Sequence, residues 1–100
     1  MLRFPTVAVL ESDDVVEVPC DVDRTGARPR RTGHLPEQVR GLTLSVKAYE
    51  RTAIRASVEG SRAVAQLALL EYPSIAQWDI AGEVLSSLMA ADPEGLRHLK

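Results

Sequence analysis

The chain reads as an α+β fold: a short β-hairpin or three-stranded antiparallel sheet, then a long helix and two to three further helices. Three observations predict it. β-Branched residues cluster at positions 6–10 and 15–22, glycine and proline punctuate positions 26–36, and from Val39 onward apolar residues recur at spacings of three and four.

Residues 6–10 and 15–22 are the first two expected strands, joined by the turn formers Ser12, Asp13 and Asp14. In the second, alternation places Val16, Val18, Cys20 and Val22 on one face and Glu17, Asp21 and Asp23 on the other. The valine face is expected to meet the helices. Gly26 stands where a turn needs positive φ, and residues 27–32 return as an edge strand carrying Pro29, its arginines solvated.

Leu35 and Pro36 begin the long helix, with Glu37 complementing its positive end. Val39, Leu42, Val46, Tyr49, Ala53 and Ala56 form its apolar stripe. Gly60 is expected to stop it, and Ser61 to cap a second helix that buries Val64, Leu67 and Ala68 and ends before Pro73. Ser74 with Gln77 reads as a capping box opening a third helix, whose stripe is Ile80, Ala81, Val84, Leu85, Leu88 and Met89. Asp92 and Pro93 cap a last short turn.

At 100 residues the chain has the size of one domain, strands and turns over 1–34 and helices over 35–100. Its net charge of −2 gives no electrostatic reason to bind nucleic acid or an anionic membrane surface. No apolar run approaches the roughly 20 residues that span a bilayer. The amino terminus has no small-residue cleavage site, and one cysteine, Cys20, makes no internal disulfide, so a cytoplasmic location is expected. The strands are too few for an independent sheet, so they are expected to pair with a second copy or a partner, giving a homo-oligomer or a complex with a catalytic part.

Several residues carry chemistry in other settings. Cys20 reads as a buried, inert thiol; His34 and His98 lack metal-ligand spacing; Asp21 and Asp23 form a D-x-D with no further oxygen ligands; Tyr49 falls on the helix core face. Arg24, Arg28, Arg30 and Arg31 make a basic cluster suited to phosphate, but only four aromatic residues occur in the chain, so a solvated turn is the plainer reading. Arg40, Lys47, Arg51 and Arg55 share a helix with Glu37, Glu50 and Glu59, the mixed charge of a wet face or interface rim. The candidate anion or interface contacts are therefore Arg28, Arg30, Arg31, Arg40, Lys47 and Arg51. No catalytic, cofactor or metal residue is assigned.

Four segments in order carry a resemblance: DVVEVP from Asp14 to Pro19, DRTGARP from Asp23 to Pro29, GHLPEQVRG from Gly33 to Gly41, and KAYER from Lys47 to Arg51. Over roughly residues 13–95 the chain resembles the C-terminal region of glycoside hydrolase family 4, the 6-phospho-β-glucosidases above all. The segment ahead of Asp13 lacks the family's N-x-P-N-x-G-type lead-in. The resemblance implies a parent that hydrolyses phosphorylated glycosides with NAD and a divalent metal, commonly manganese, in which a tyrosine acts as base. The residues that do this precede the matched region in the family, so none carries over. The glycines at 26, 33, 41, 60, 82 and 95 contain no G-x-G pair, so this chain has no dinucleotide fingerprint of its own.

The leading expectation is an isolated C-terminal domain, non-catalytic alone, with a structural and self-association role. One alternative is part of a split or truncated hydrolase completed by another chain. The other is a small regulatory module that binds a phosphosugar through the hairpin arginines. A start at Met1 fits the tail of a longer hydrolase as well as a stand-alone descendant.

Overall fold

The computed structural model describes residues 10, 11 and 13–100. Residues 6–9 of the first expected strand lie outside the described residues. The element order is β1 (Cys20–Asp23), β2 (Gly26–Pro29), α1 (Glu37–Glu59), α2 (Arg62–Glu71) and α3 (Trp78–Ala91), an α+β fold whose described sheet is one antiparallel pair. The chain divides into two compact units, Met1–Gly41 and Leu42–Lys100, with α1 continuous through the boundary.

In the first unit, Cys20 pairs with Pro29, Asp21 with Arg28, Val22 with Ala27 and Asp23 with Gly26. The turn closes because the Asp23 carboxylate accepts the Thr25 amide at 2.8 Å, an Asx turn, and Gly26 takes φ of 121°. The observed strand is shorter than the expected 15–22. Pro19 has no amide to donate, and pairing extends past Cys20 only through its carbonyl, which accepts from the Arg30 amide at 2.9 Å. The expected valine face holds in part: Val16 and Val18 are half-buried between exposed neighbours, but its far end is corrected, since Cys20 is exposed and Val22 is 76% exposed. A two-stranded ribbon is too narrow to bury a face of its own.

Helix α1 starts as expected from Pro36, whose carbonyl accepts from the Val39 and Arg40 amides. In the second unit it ends in a Schellman-type closure, the Ser61 amide donating to the Ala56 carbonyl at 3.1 Å with Gly60 at φ of 66°. Ser61 then caps α2 through its hydroxyl, which accepts from the Val64 amide at 3.2 Å. Two bonds tie α1 to α2: the Thr52 hydroxyl donates to the Glu71 carboxylate at 2.8 Å, and Tyr49 meets Tyr72 edge-on at 5.0 Å between ring centres.

The expected capping box at Ser74 does not form. Residues 73–76 turn instead on the Tyr72 carbonyl, which accepts from Ile75 and Ala76, and α3 opens at Trp78 with Gln77 in the cap position and no side-chain bond. The physical reason is Ala76, whose φ of 49° is left-handed and cannot continue into a helix from Ser74. Ala76→Gly is expected to stabilise the chain by about 1 kcal/mol, read as a higher urea midpoint at unchanged slope.

The buried residues of the second unit are Ala56, Ala68, Ala81, Leu85 and Leu99, with Leu10 buried in the first. Helices α2 and α3 approach closely at Gly82, where an added Cβ would lie 2.9 Å from the Gln66 amide nitrogen. Val39, Leu42, Leu67, Ile80 and Leu88, expected on buried stripes, are exposed to varying degrees. In the second unit the alanines set the helix spacing, and the larger Leu67, Ile80 and Leu88 flank that seam instead of entering it. Among the described residues no helix is long and apolar enough to cross a membrane.

Candidate functional site

The hairpin register sorts charge by strand. Asp21, Asp23, Arg28 and Arg30 project to one face, acids on β1 and bases on or just beyond β2, and Cys20, Val22, Ala27 and Pro29 to the other. The ion pairs run diagonally: Arg28 to Asp23 at 2.7 Å and Arg30 to Asp21. All four side chains are about half exposed, so solvent screens both pairs and neither is a strong source of stability. Arg24, Arg31 and His34 are exposed. The D-x-D and R-x-R spacings were both visible in sequence, but their pairing depended on the register.

The Arg28 guanidinium, with the Thr25 hydroxyl and amide, holds the Asp23 carboxyl below its ordinary value. Its folded value lies below its unfolded one. Its contribution is therefore complete above the unfolded carboxylate range and fades as pH falls through the folded value. In an NMR pH titration the Asp23 carboxyl and the Thr25 amide are expected to titrate together at acid pH, below an unstructured aspartate; a midpoint at the ordinary value would show that the pair is absent.

The basic residues of α1 are also engaged. Lys47, largely buried, reaches Glu50 at 2.7 Å, and Arg55 reaches Glu59 at 3.0 Å. Arg40 lies 3.8 Å from Glu37, and its Nε is a buried polar atom without a hydrogen-bond partner. Arg51 is exposed on the same helix. Outward from α1, Ile54 is 65% and Val58 83% exposed, one helical turn apart.

The second unit holds an open apolar cavity of about 180 Å³. Its wall includes Ala53 and Ala56 of α1, Leu69 of α2, Leu85 and Leu88 of α3, and Leu99 near the end of the sequence. Tyr49 and His98 are the titratable groups on that wall. Sequence reasoning missed the cavity. Its one legible signal was the apolar Leu96 and Leu99 beyond Pro93, residues too apolar for a simple turn.

Neither a metal nor a dinucleotide fits these residues. Among the described residues no three of His, Cys, Asp and Glu gather around a common point. Gly60 precedes a capped helix start, as a phosphate-binding glycine would, but the space at its α-carbon is taken by the His98 carbonyl, 2.7 Å from where a Cβ would sit.

Comparison with known proteins gives a consistent match. Residues 5–75 match the model of the family 4 glycosyl hydrolase C-terminal domain. The chain is 35% identical over 85 residues to a probable 6-phospho-β-glucosidase of Bacillus subtilis, covering 85% of this chain and 19% of that one. It is 34% identical over 87 residues to a phospho-α-glucosidase of Clostridium acetobutylicum, covering 87% and 20%. Among solved structures it superposes on a 6-phospho-α-glucosidase from gut microorganisms, in complex with NAD and glucose 6-phosphate, with a TM-score of 0.79 and 25% identity over 95% of this chain and 21% of the other. The chain thus spans about a fifth of the length of the relatives it matches.

Proposed function

This chain belongs to the family 4 glycosyl hydrolases through their C-terminal domain, and we propose that it is a non-catalytic module of a phosphoglycosidase, serving packing and association. One observation carries the reading: a matched domain that makes up about a fifth of its relatives gathers no three of His, Cys, Asp and Glu that could hold a metal ion among the described residues. The solved relative is a complex with NAD, and on this reading NAD and a divalent metal would be held by other parts of such an enzyme. What this module presents instead is exposed apolar surface, Val22 on the hairpin and Ile54 with Val58 on α1. Apolar side chains so exposed favour a covering partner, here a second copy or the catalytic part of the enzyme.

Of the candidate contacts Arg28, Arg30, Arg31, Arg40, Lys47 and Arg51, the exposed Arg28, Arg30, Arg31 and Arg51 are the ones open to a partner. Phosphate binding at the hairpin is the less favoured reading, because Asp21 and Asp23 already engage Arg30 and Arg28. The test is turnover of a chromogenic 6-phosphoglucoside by the purified chain with NAD and manganese, alongside calorimetry with glucose 6-phosphate. Neither product nor heat is expected. Product would overturn the non-catalytic reading, and heat from the sugar phosphate that Arg28→Ala with Arg30→Ala abolishes would move the function to the hairpin.

A further inference from the structure

We propose that residues 92–100 form a strap that opens independently of the three helices and so widens the open apolar cavity of the helical unit, on whose wall Leu96, His98 and Leu99 stand. The strap has a shape of its own. Asp92 accepts the Gly95 amide on its side chain at 2.9 Å and the Leu96 amide on its carbonyl at 3.1 Å, and the Leu99 amide donates to the Leu96 carbonyl at 3.1 Å. These bonds are internal to the strap.

Beyond its hinge on α3, where the Asp92 amide donates to the Leu88 carbonyl at 3.0 Å, its backbone bonds to the helices among the described residues lie at one place. The Arg62 amide donates to the Lys100 carbonyl at 3.0 Å, and the Lys100 amide donates to the Gly60 carbonyl at 2.9 Å, a reciprocal pair at the junction of α1 and α2. Gly60 is the seat: the His98 carbonyl stands against its bare α-carbon, in a space that any side chain would fill. The remaining hold is apolar, from buried Leu99 and half-buried Leu96, both on the cavity wall with Leu85 and Leu88.

The helices are held differently. Their seam is closed by Ala68, Ala81 and Leu85, so separating them exposes a core, whereas lifting the strap breaks two backbone bonds and uncovers two leucines. Segments with so few buried contacts open at the low end of the stability range, ahead of the global transition. The strap is therefore a movable wall of the cavity, with Gly60 as its latch.

Native-state hydrogen exchange on the intact chain tests this, with Leu99→Ser as the variant. In the unmodified chain the Arg62 and Lys100 amides are expected to exchange roughly tenfold or more faster than the Leu85 amide inside α3. In Leu99→Ser, Arg62 should lose its residual protection while Val64, capped by Ser61, and Leu85 stay within about twofold of their original rates. Equal exchange rates for Arg62, Lys100 and Leu85 in the unmodified chain would overturn the proposal. So would a parallel loss at all of them in the variant, since strap and helices would then be one cooperative unit.

Discussion

Leu85→Ala is expected to destabilise the chain by roughly 3 kcal/mol. Leu85 is 3% exposed and lies on the inner face of α3, so its truncation removes buried methyl and methylene groups and leaves a void. Two features set the magnitude. The site adjoins an existing cavity of about 180 Å³, which means that Leu85 already lacks full contact on one side, and this keeps the cost away from the upper limit near 5 kcal/mol. The helices on either side are spaced by alanines and cannot slide inward to refill the space. With a urea slope of about 1 to 1.5 kcal/mol per molar, the midpoint should fall by about 2 to 3 M. A fall below about 0.5 M would show that Leu85 is not a core residue.

Ala81→Leu is the opposite perturbation and is expected to cost a similar amount, roughly 3 kcal/mol. Ala81 is 0% exposed and shares the α2–α3 seam with Ala68, in a contact close enough for Gly82 to lie beneath the Gln66 side chain. A leucine there must separate the helices or leave its rotamer minimum. Ala90→Leu is the control: Ala90 is exposed on the same helix, and its change should stay within about 0.5 kcal/mol. Equal urea midpoints for the two leucine variants would mean that the seam is loose.

These two residues also mark what the sequence made legible. The three-and-four spacing identified Ala81 and Leu85 as core, and Gly60 and Ser61 as the boundary of two helices, because stripe, stop and cap are local signals. The hairpin turn was equally local, with Asp23 and Gly26 fixing it. The failures share a different cause. Val39, Leu42 and Leu88 fall on regular stripes yet are exposed, since periodicity says which face is apolar and not how much of it is covered. The start of α3 was misplaced because Ser74 and Gln77 fit a cap, while a left-handed Ala76 has no sequence signature. Cys20 was assigned to a buried face by alternation, which says which side of a strand it occupies and not whether anything covers that side.

The candidate site was legible in its parts and not in its assembly. Two acids and two bases at alternate positions were plain, and the register turned them into diagonal pairs that occupy each other. The cavity and its strap depend on contacts between Gly60 and residues some 40 positions away, which no local pattern encodes. The family resemblance, by contrast, rested on four short segments in order and agrees with the match over residues 5–75.

The account turns on the exposed apolar surface of a module that is a fraction of its relatives' length, and the direct test is the mass of the purified chain by light scattering over a range of concentrations. Self-association through Val22, Ile54 and Val58 predicts a mass above the 10.9 kDa of one chain that rises with concentration and falls back when Ile54 and Val58 are both changed to serine. A single-chain mass at every concentration would contradict self-association and leave the catalytic part of the enzyme as the covering partner.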